Sequence, residues 1–537
     1  MNQTTQEVTA RKMKPRRRYR RWIAVIAATA IAILVASIFL GFWPRSMFMQ
    51  SPWDAIPKAT LEQIAKLHEP EALREDLDAI VALHERTCPN PYLRVSKESI
   101  AELAERLKAS IDRPMTRREF LPLVMELQSG YRCDHYIQRV PAEELEAALA
   151  RGEGFLPFQG EPRGDALVVI AVTAEEEAIE PGDTIVQIGS VSAVDHLARL
   201  RSMVPAETVR AQDAFVRRSF QALNWAAGVT LPTDVEIVRA DGSRHIVTVE
   251  AVGKRKINRT LPRTSLPNAS AVSQGEVLVD SPPFRCLLLP GDQSEPAPIA
   301  LIDFPTMDVM LSSQWNEFLD QAIAAANLRN AAGLIVDIRK NPGGSPRLGN
   351  DLLARINDRP YREFARLVSR RSVESDEMLR LAAKPVIRWL FGVLLPLYNP
   401  GYAELDHGEE LTNKINVESY PRVEPGFDGP TCLLTGDGVY SAAVVLADCA
   451  RTYDLMLTIG EPTGGCPNQI GHIGPFQLPN SKIVVNFAQR VYLRASGDET
   501  DMGPVHPHIE VTPILGRDTA LERAIEEIRK MQAERKQ

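Results

Sequence analysis

The chain has 537 residues, 44% hydrophobic and 24% charged, with 39 Pro, 32 Gly and no low-complexity tract. That composition excludes a disordered, collagenous or bare coiled-coil protein and leaves room for about three domains. Lys and Arg number 62 against 69 Asp and Glu, yet eight of the basic side chains fall between Arg11 and Arg21. Beyond residue 21 the balance is 54 basic to 68 acidic, a net charge of −14. So acidic a body argues against a nucleic-acid partner, whose phosphates need a basic surface.

The basic run is followed by Trp22 to Trp43, WIAVIAATAIAILVASIFLGFW, 22 residues without a charge. At a rise of about 1.5 Å per residue this covers the roughly 30 Å hydrocarbon core of a bilayer. The Lys/Arg cluster on its N-terminal side and the two flanking tryptophans predict a single membrane anchor at 22–43, with 1–21 as a cytoplasmic basic tail and the remainder exported, periplasmic in a Gram-negative cell. A cleaved signal peptide fits less well, because the apolar stretch is long and ends in Phe42-Trp43-Pro44 rather than a small-x-small site. All six cysteines lie in the exported part without a C-x-x-C pair; Cys88 and Cys133 read equally as a disulfide or as buried free thiols.

Residues 53–158 carry Leu, Glu, Ala and Arg at helical spacing, with Ile100, Leu103, Leu107 and Ile111 on one face, and predict a helical domain. From 165 to 252 the pattern changes to short β-branched runs: ALVVIAV, then DTIVQIG after Glu180-Pro181-Gly182, a helix AVDHLARLRSMV, and a hairpin over Asp241-Gly242. Residues 253–295, rich in Pro, Ser and Arg, read as a linker. Over 296–516 strands and helices alternate (IALIDF, SQWNEFLDQAIAAANL, GLIVDIR, TCLLTG, SAAVVLADCAR, LMLTIG), with an insertion near 373–425. This predicts an α/β fold of βαβ units around a mostly parallel sheet, closed by a C-terminal helix over 517–537. Within the insertion, the apolar run Pro385 to Tyr398 predicts either a core helix or a lid lying at the bilayer surface.

Sites in such folds form at the C-terminal ends of the strands, which singles out three turns. Arg339-Lys340-Asn341-Pro342-Gly343-Gly344 ends a buried strand with paired glycines whose N–H groups suit an oxyanion, the alternatives being an ordinary Gly turn or a phosphate loop, although no G-x-x-x-x-G-K-[ST] pattern is present. Ser441 stands between a strand and a helix of small residues, as an exposed nucleophile beside the Ala442 N–H or as a helix cap. Glu461 to Gln469 is a third, glycine-rich turn. A serine nucleophile needs a base, and spacing does not choose among nine histidines, although His135 lies in the helical region about 300 residues earlier. The absence of an H-E-x-x-H helix and of clustered ligands argues against a catalytic metal, and no cofactor motif is present.

These pieces in this order resemble the C-terminal processing and tricorn-type serine peptidase family. The matching stretches are Ile179 to Ile185, Asp337 to Gly344, Tyr440-Ser441-Ala442-Ala443, Gly460 to Gly465, and Gly503-Pro504-Val505-His506-Pro507. The resemblance implies a crotonase-like serine peptidase core, a PDZ-like module over 165–252 that takes a peptide tail, and a polypeptide substrate. It implies Ser441 as nucleophile, with Ala442 and Gly343 or Gly344 as oxyanion hole. Cys466 stands where the Ser-Lys branch has its base, so the likeness is to the His-based branch, with His135 as base. That branch adds a C-terminal carboxylate, for which Glu499 and Asp501 lead and Asp498 reads as a turn residue. The resulting expectation is a membrane-anchored extracytoplasmic serine endopeptidase; the alternative is a catalytically silent protein on the same fold that binds a peptide or a lipophilic ligand.

Overall fold

The computed structural model describes residues 50–174, 176–253, 257, 275–291, 297–388, 400–514 and 517–536. The anchor expected at 22–43 and most of the apolar run 385–398 lie outside them. Among the described residues no helix is long and apolar enough to cross a membrane.

The N-terminal part is built from helices α1 (Pro70–Thr87), α2 (Lys97–Ala109), α3 (Arg117–Gly130) and α4 (Ala142–Ala150). Helix α2 buries Ile100, Ala104 and Leu107, spaced for one face, and α3 starts at a capping box in which Thr116 and Glu119 satisfy each other's backbone N–H groups. Strands β1 (Phe158–Arg163), β2 (Ala166–Val172), β3 (Thr184–Ile188) and β4 (Val191–Ser192) follow, then helices α5 (Ala193–Ser202) and α6 (Val209–Ala226), then β5 (Thr233–Val238) and β6 (Arg244–Val249). The strands form one antiparallel sheet in the order β1-β2-β3-β5-β6, with β4 paired to β3. Helix α6, eighteen residues of VRAQDAFVRRSFQALNWA, is not among the expected elements; its apolar face is interrupted by arginines that turn out to face acidic groups elsewhere in the chain.

Within the 253–295 stretch expected as a linker, residues 276–289 are corrected to β7 (Glu276–Ser281) and β8 (Phe284–Leu289), an antiparallel pair continuing into the main sheet. The Pro and Ser content hid two short apolar runs that the sheet edge captures. Beyond them come β9 (Ile299–Asp303), α7 (Ser312–Leu328), β10 (Leu334–Asp337), α8 (Pro346–Ile356), β11 (Arg366–Arg370), α9 (Val373–Ala382) and β12 (Glu410–Lys414). The chain closes with β13 (Thr431–Thr435), α10 (Ala442–Thr452), β14 (Leu457–Gly460), β15 (Gln469–Gln477), β16 (Val484–Leu493), β17 (Ile509–Glu510) and α11 (Thr519–Lys536).

Seven strands make the main sheet in the order β17-β14-β13-β10-β9-β8-β7, parallel from β17 to β9. Successive residues of β10 bury on opposite faces. Leu334 and Val336 join a core with Trp315, Phe318, Leu352 and Val444 from α7, α8 and α10, whereas Ile335 joins Leu521, Ala524 and Ile528 of α11. Coverage on both faces is why these strands read as continuous apolar runs. A second, antiparallel sheet has the order β12-β11-β16-β15. Its Val485, Phe487 and Ala488 share one core with Phe120, Leu121 and Tyr131 of the helical part and Phe158 and Phe220 of the β-rich part. That shared core brings three distant stretches of sequence to one place.

Candidate active site

The turn after β10 is drawn tight by its own asparagine. Asn341 Nδ2 donates to Phe304 O at 2.8 Å, and Asn341 Oδ1 accepts the Gly343 N–H at 2.9 Å. Gly343 (φ +91°) and Gly344 (φ +139°) take backbone angles that L side chains rarely adopt. A Cβ on Gly344 would stand 2.1 Å from Met307 O, so nothing larger fits. Among the described hydrogen bonds the Gly344 and Ala442 N–H groups have no acceptor.

Ser441 sits half-buried at the head of α10 with φ 52° and ψ −125°, a strained conformation for a residue with a side chain, and its side chain does not cap the helix. The strand-to-helix corner instead turns the hydroxyl out toward His135, whose Nε2 lies 2.9 Å from Ser441 Oγ across 306 residues of sequence. His135 belongs to a short turn, Asp134–Tyr136, held from below by Asn486 Nδ2 donating to Ile137 O at 3.0 Å. Its other nitrogen, Nδ1, is 2.6 Å from Asp134 Oδ1, and both side chains are almost wholly buried. Burial pushes the imidazole pKa down, but the Asp134 carboxylate and then Glu207 outweigh it, and the net direction is above the ordinary value of 6.5.

A second buried carboxylate lies behind this pair. Glu207, in the segment between α5 and α6, accepts the Cys466 N–H at 2.6 Å and faces Arg94 Nε at 3.5 Å. Burial pushes its carboxyl up to about 7, with Asp134 adding to the shift and Arg94 opposing it. Burial and then Glu207 push the Cys466 thiol far up, so it stays protonated. Cys133, Asp134 and His135 offer ligand atoms within 4.8 Å of one another. His135 Nε2 is engaged with Ser441 Oγ, however, Nδ1 lies in a 2.6 Å charge contact with Asp134 Oδ1, and burial holds the Cys133 thiol protonated. All six cysteines are buried free thiols, Cys88 and Cys133 included.

The structure thus brings together Ser441, His135, Gly343, Gly344 and Ala442. It does not bring Glu499 or Asp501 to the imidazole. Glu499 is exposed and pairs with Arg366 at 2.9 Å, and Asp501 pairs with Arg494. Arg366 on β11 and Arg494 beyond β16 draw both carboxylates to the surface, which corrects the expected carboxylate. Asp498 is the exposed turn residue expected of it, accepting from Thr500 N–H at 2.8 Å. The two carboxylates the sequence reasoning missed are Asp134 and Glu207. Asp134 was legible, being next to His135; Glu207 carries no local signal.

Residues 298–511 match the model of peptidase family S41. Among solved structures, mature CPAF is 17% identical, with 86% of this chain and 96% of that chain covered and a TM-score of 0.56. Mature CPAF complexed with lactacystin is 18% identical, covers 86% and 98%, and has a TM-score of 0.55. The photosystem II D1 C-terminal processing protease is 15% identical, covers 86% and 99%, and has a TM-score of 0.37. At these identities the likeness to CPAF is one of fold. No curated protein sequence matches the chain.

Proposed function

We propose that this chain, a serine-type peptidase by the family S41 domain it carries over residues 298–511, is a membrane-anchored endopeptidase acting outside the cytoplasm through an acyl-enzyme at Ser441. The observation that carries the mechanism is the 2.9 Å approach of His135 Nε2 to Ser441 Oγ. Ser441 Oγ attacks the scissile carbonyl carbon while its proton passes to His135 Nε2. Asp134, against Nδ1, fixes the tautomer and stabilises the imidazolium. The tetrahedral oxyanion takes the Ala442 and Gly344 N–H groups, which have no acceptor among the described hydrogen bonds. The C–N bond then breaks, the amine leaves with the proton from His135, and water repeats the sequence on the ester. Cys466 is no base, since its buried thiol keeps its proton.

The placement rests on the charge-free run Trp22 to Trp43 behind a Lys/Arg cluster. The β-rich part reads as a PDZ-like peptide binder; what supports this is the edge strand β6, whose outer residues, Ile246 among them, are exposed and suited to pairing with an added peptide strand.

The test is labelling of the full-length protein with a serine-reactive fluorophosphonate. Label that is lost in Ser441→Ala and His135→Ala but kept in Cys466→Ala supports the assignment. A folded wild type that takes no label overturns it in favour of a binding protein on the same fold.

A further inference from the structure

The segment that carries Glu207 belongs to the β-rich part of the chain, yet its contacts are with the peptidase turns. Ala206, Ala211 and Phe215 bury against Tyr440, the residue before the nucleophile. Along α6, Arg210 pairs with Glu461, Arg217 Nη2 donates to Asp437 Oδ2 at 2.6 Å, and Arg218 Nη2 donates to Tyr440 Oη at 2.9 Å. Arg217 and Arg218 therefore bind the turn that carries Ser441, and Arg210 the Glu461–Gln469 turn. At the head of the same helix, Glu207 passes its side chain inward, where it is only 2% exposed.

What Glu207 meets there is the third turn. Its carboxylate receives the buried Cys466 N–H, a donor that would otherwise have no partner, and the next residue back, Gly465, faces Asp134: a Cβ on Gly465 would stand 3.1 Å from Asp134 Oδ2. Arg94 completes the arrangement, donating to Met502 O at 2.7 Å and Asn468 O at 2.9 Å while its Nε faces Glu207. The line of contacts runs from Glu207 through the Gly465-Cys466 turn to Asp134, His135 and Ser441. The charged and titratable groups facing Glu207 are Arg94, Asp134, His135 and the Cys133 and Cys466 thiols.

We infer that Glu207 is a positioning residue for hydrolysis: supplied by the β-rich part, it fixes the turn against which Asp134 rests and places a second carboxylate behind His135, so that the site is complete only while that part is docked. This rests on the Ser441–His135 mechanism proposed above. Two consequences are separable. The turn needs only an acceptor for the Cys466 N–H, which glutamine also supplies; the imidazolium formed in the transition state needs the charge, which glutamine lacks.

The experiment compares wild type, Glu207→Gln, Glu207→Ala, Ser441→Ala and His135→Ala as full-length proteins. The readouts are hydrolysis of fluorescein-casein across pH and the rate of fluorophosphonate labelling. Glu207→Gln is expected to lower kcat about tenfold, the equivalent of one pKa unit of lost charge stabilisation, with KM within about twofold. It should also move the acid limb of kcat/KM to lower pH, since the Glu207 charge raises the His135 pKa. Glu207→Ala should lose more, having neither charge nor acceptor. Wild-type kcat and an unmoved acid limb in Glu207→Gln overturn the inference, as does a fall in kcat with the limb unmoved, which is the mark of a purely structural role. Because Glu207→Gln keeps the hydrogen bond, misfolding of Glu207→Ala leaves the test intact. Retained label in Ser441→Ala would instead overturn the mechanism itself.

Discussion

Gly343 lies against Ser441 so closely that a methyl group on its α-carbon would stand 2.7 Å from the serine Cβ and 2.6 Å from Tyr440 O. The contact joins the end of β10 to the start of α10, and with it the Arg339–Gly344 turn to Ser441. Gly343→Ala is expected to abolish casein hydrolysis and to cost about 1–3 kcal/mol of stability, since φ +91° is strained for alanine and the neighbouring backbone must move. Denaturant titration beside an activity assay checks both halves; an active, equally stable variant would show that the turn yields freely.

The pH dependence follows from His135. As the proposed base it must be neutral in the free enzyme, and its pKa lies above the ordinary 6.5 because Asp134 and Glu207 outweigh burial. Activity should therefore fall as pH drops through a point above 6.5, and because the Glu207 carboxyl, pushed up to about 7, titrates in the same range, the limb in kcat/KM belongs to the His135–Glu207 pair. A limb below 6.5 would contradict the arrangement.

Asp134→Asn keeps the shape of the side chain and removes the charge that fixes the imidazole. A loss of about 10³- to 10⁴-fold in kcat is expected, the size seen when such an orienting carboxylate is neutralised. Glu499→Gln, on an exposed pair with Arg366, should stay within about twofold of wild type. Steady-state kinetics of the two variants decides between the carboxylate beside His135 and one in the C-terminal stretch.

His84 is a second consequence of the shared core. It is fully buried, stacked on Tyr136 at 3.9 Å between ring centroids, and its Nε2 lies 2.5 Å from Gln128 Oε1. Burial lowers its pKa to about 4 from 6.5. A base with a depressed pKa binds its proton in the unfolded chain first, so stability is full above about pH 6.5 and falls as the pH drops toward 4, by about 3 kcal/mol in all. In His84→Phe, urea titrations between pH 7.5 and 4.5 should show this acid sensitivity reduced by about one proton. An unchanged pH slope would sink the assignment.

Arg339 ties the sheet to the last helix. Its guanidinium donates to Asp337 Oδ2 at 2.6 Å and to Asp518 Oδ1 and Oδ2 at 2.6 and 2.9 Å, just before α11. Arg339→Met strands two carboxylates and should cost about 3–5 kcal/mol, read as a lowered urea midpoint. A double variant that also carries Asp518→Asn should recover part of that loss.

Much of the peptidase core was legible because its signals are local. The run Leu334-Ile335-Val336 reads as a strand covered on both faces, and alternate residues do bury in two different cores. Helix α6 was not legible as a contact surface, because Arg210, Arg217 and Arg218 look like a solvated helix until Glu461, Asp437 and Tyr440 are seen opposite them. Strands β7 and β8 were hidden by the prolines around them and exist because β9 offers an edge to pair with.

The site divides in the same way. The strained serine corner and the paired glycines are determined by a few neighbouring residues, since backbone angles and small side chains act within one turn. Which histidine meets the serine, and which carboxylates stand behind it, are matters of packing. His135 comes from 306 positions away and Glu207 from another part of the chain, carried there by a core in which Tyr131, Phe158 and Phe487 bury together. Sequence by itself determined the turn that carries Ser441 and, through the family resemblance, pointed to His135; only the tertiary structure set the two together and brought Asp134 and Glu207 behind them, because the burial energy that does so is shared among residues with no fixed spacing along the chain.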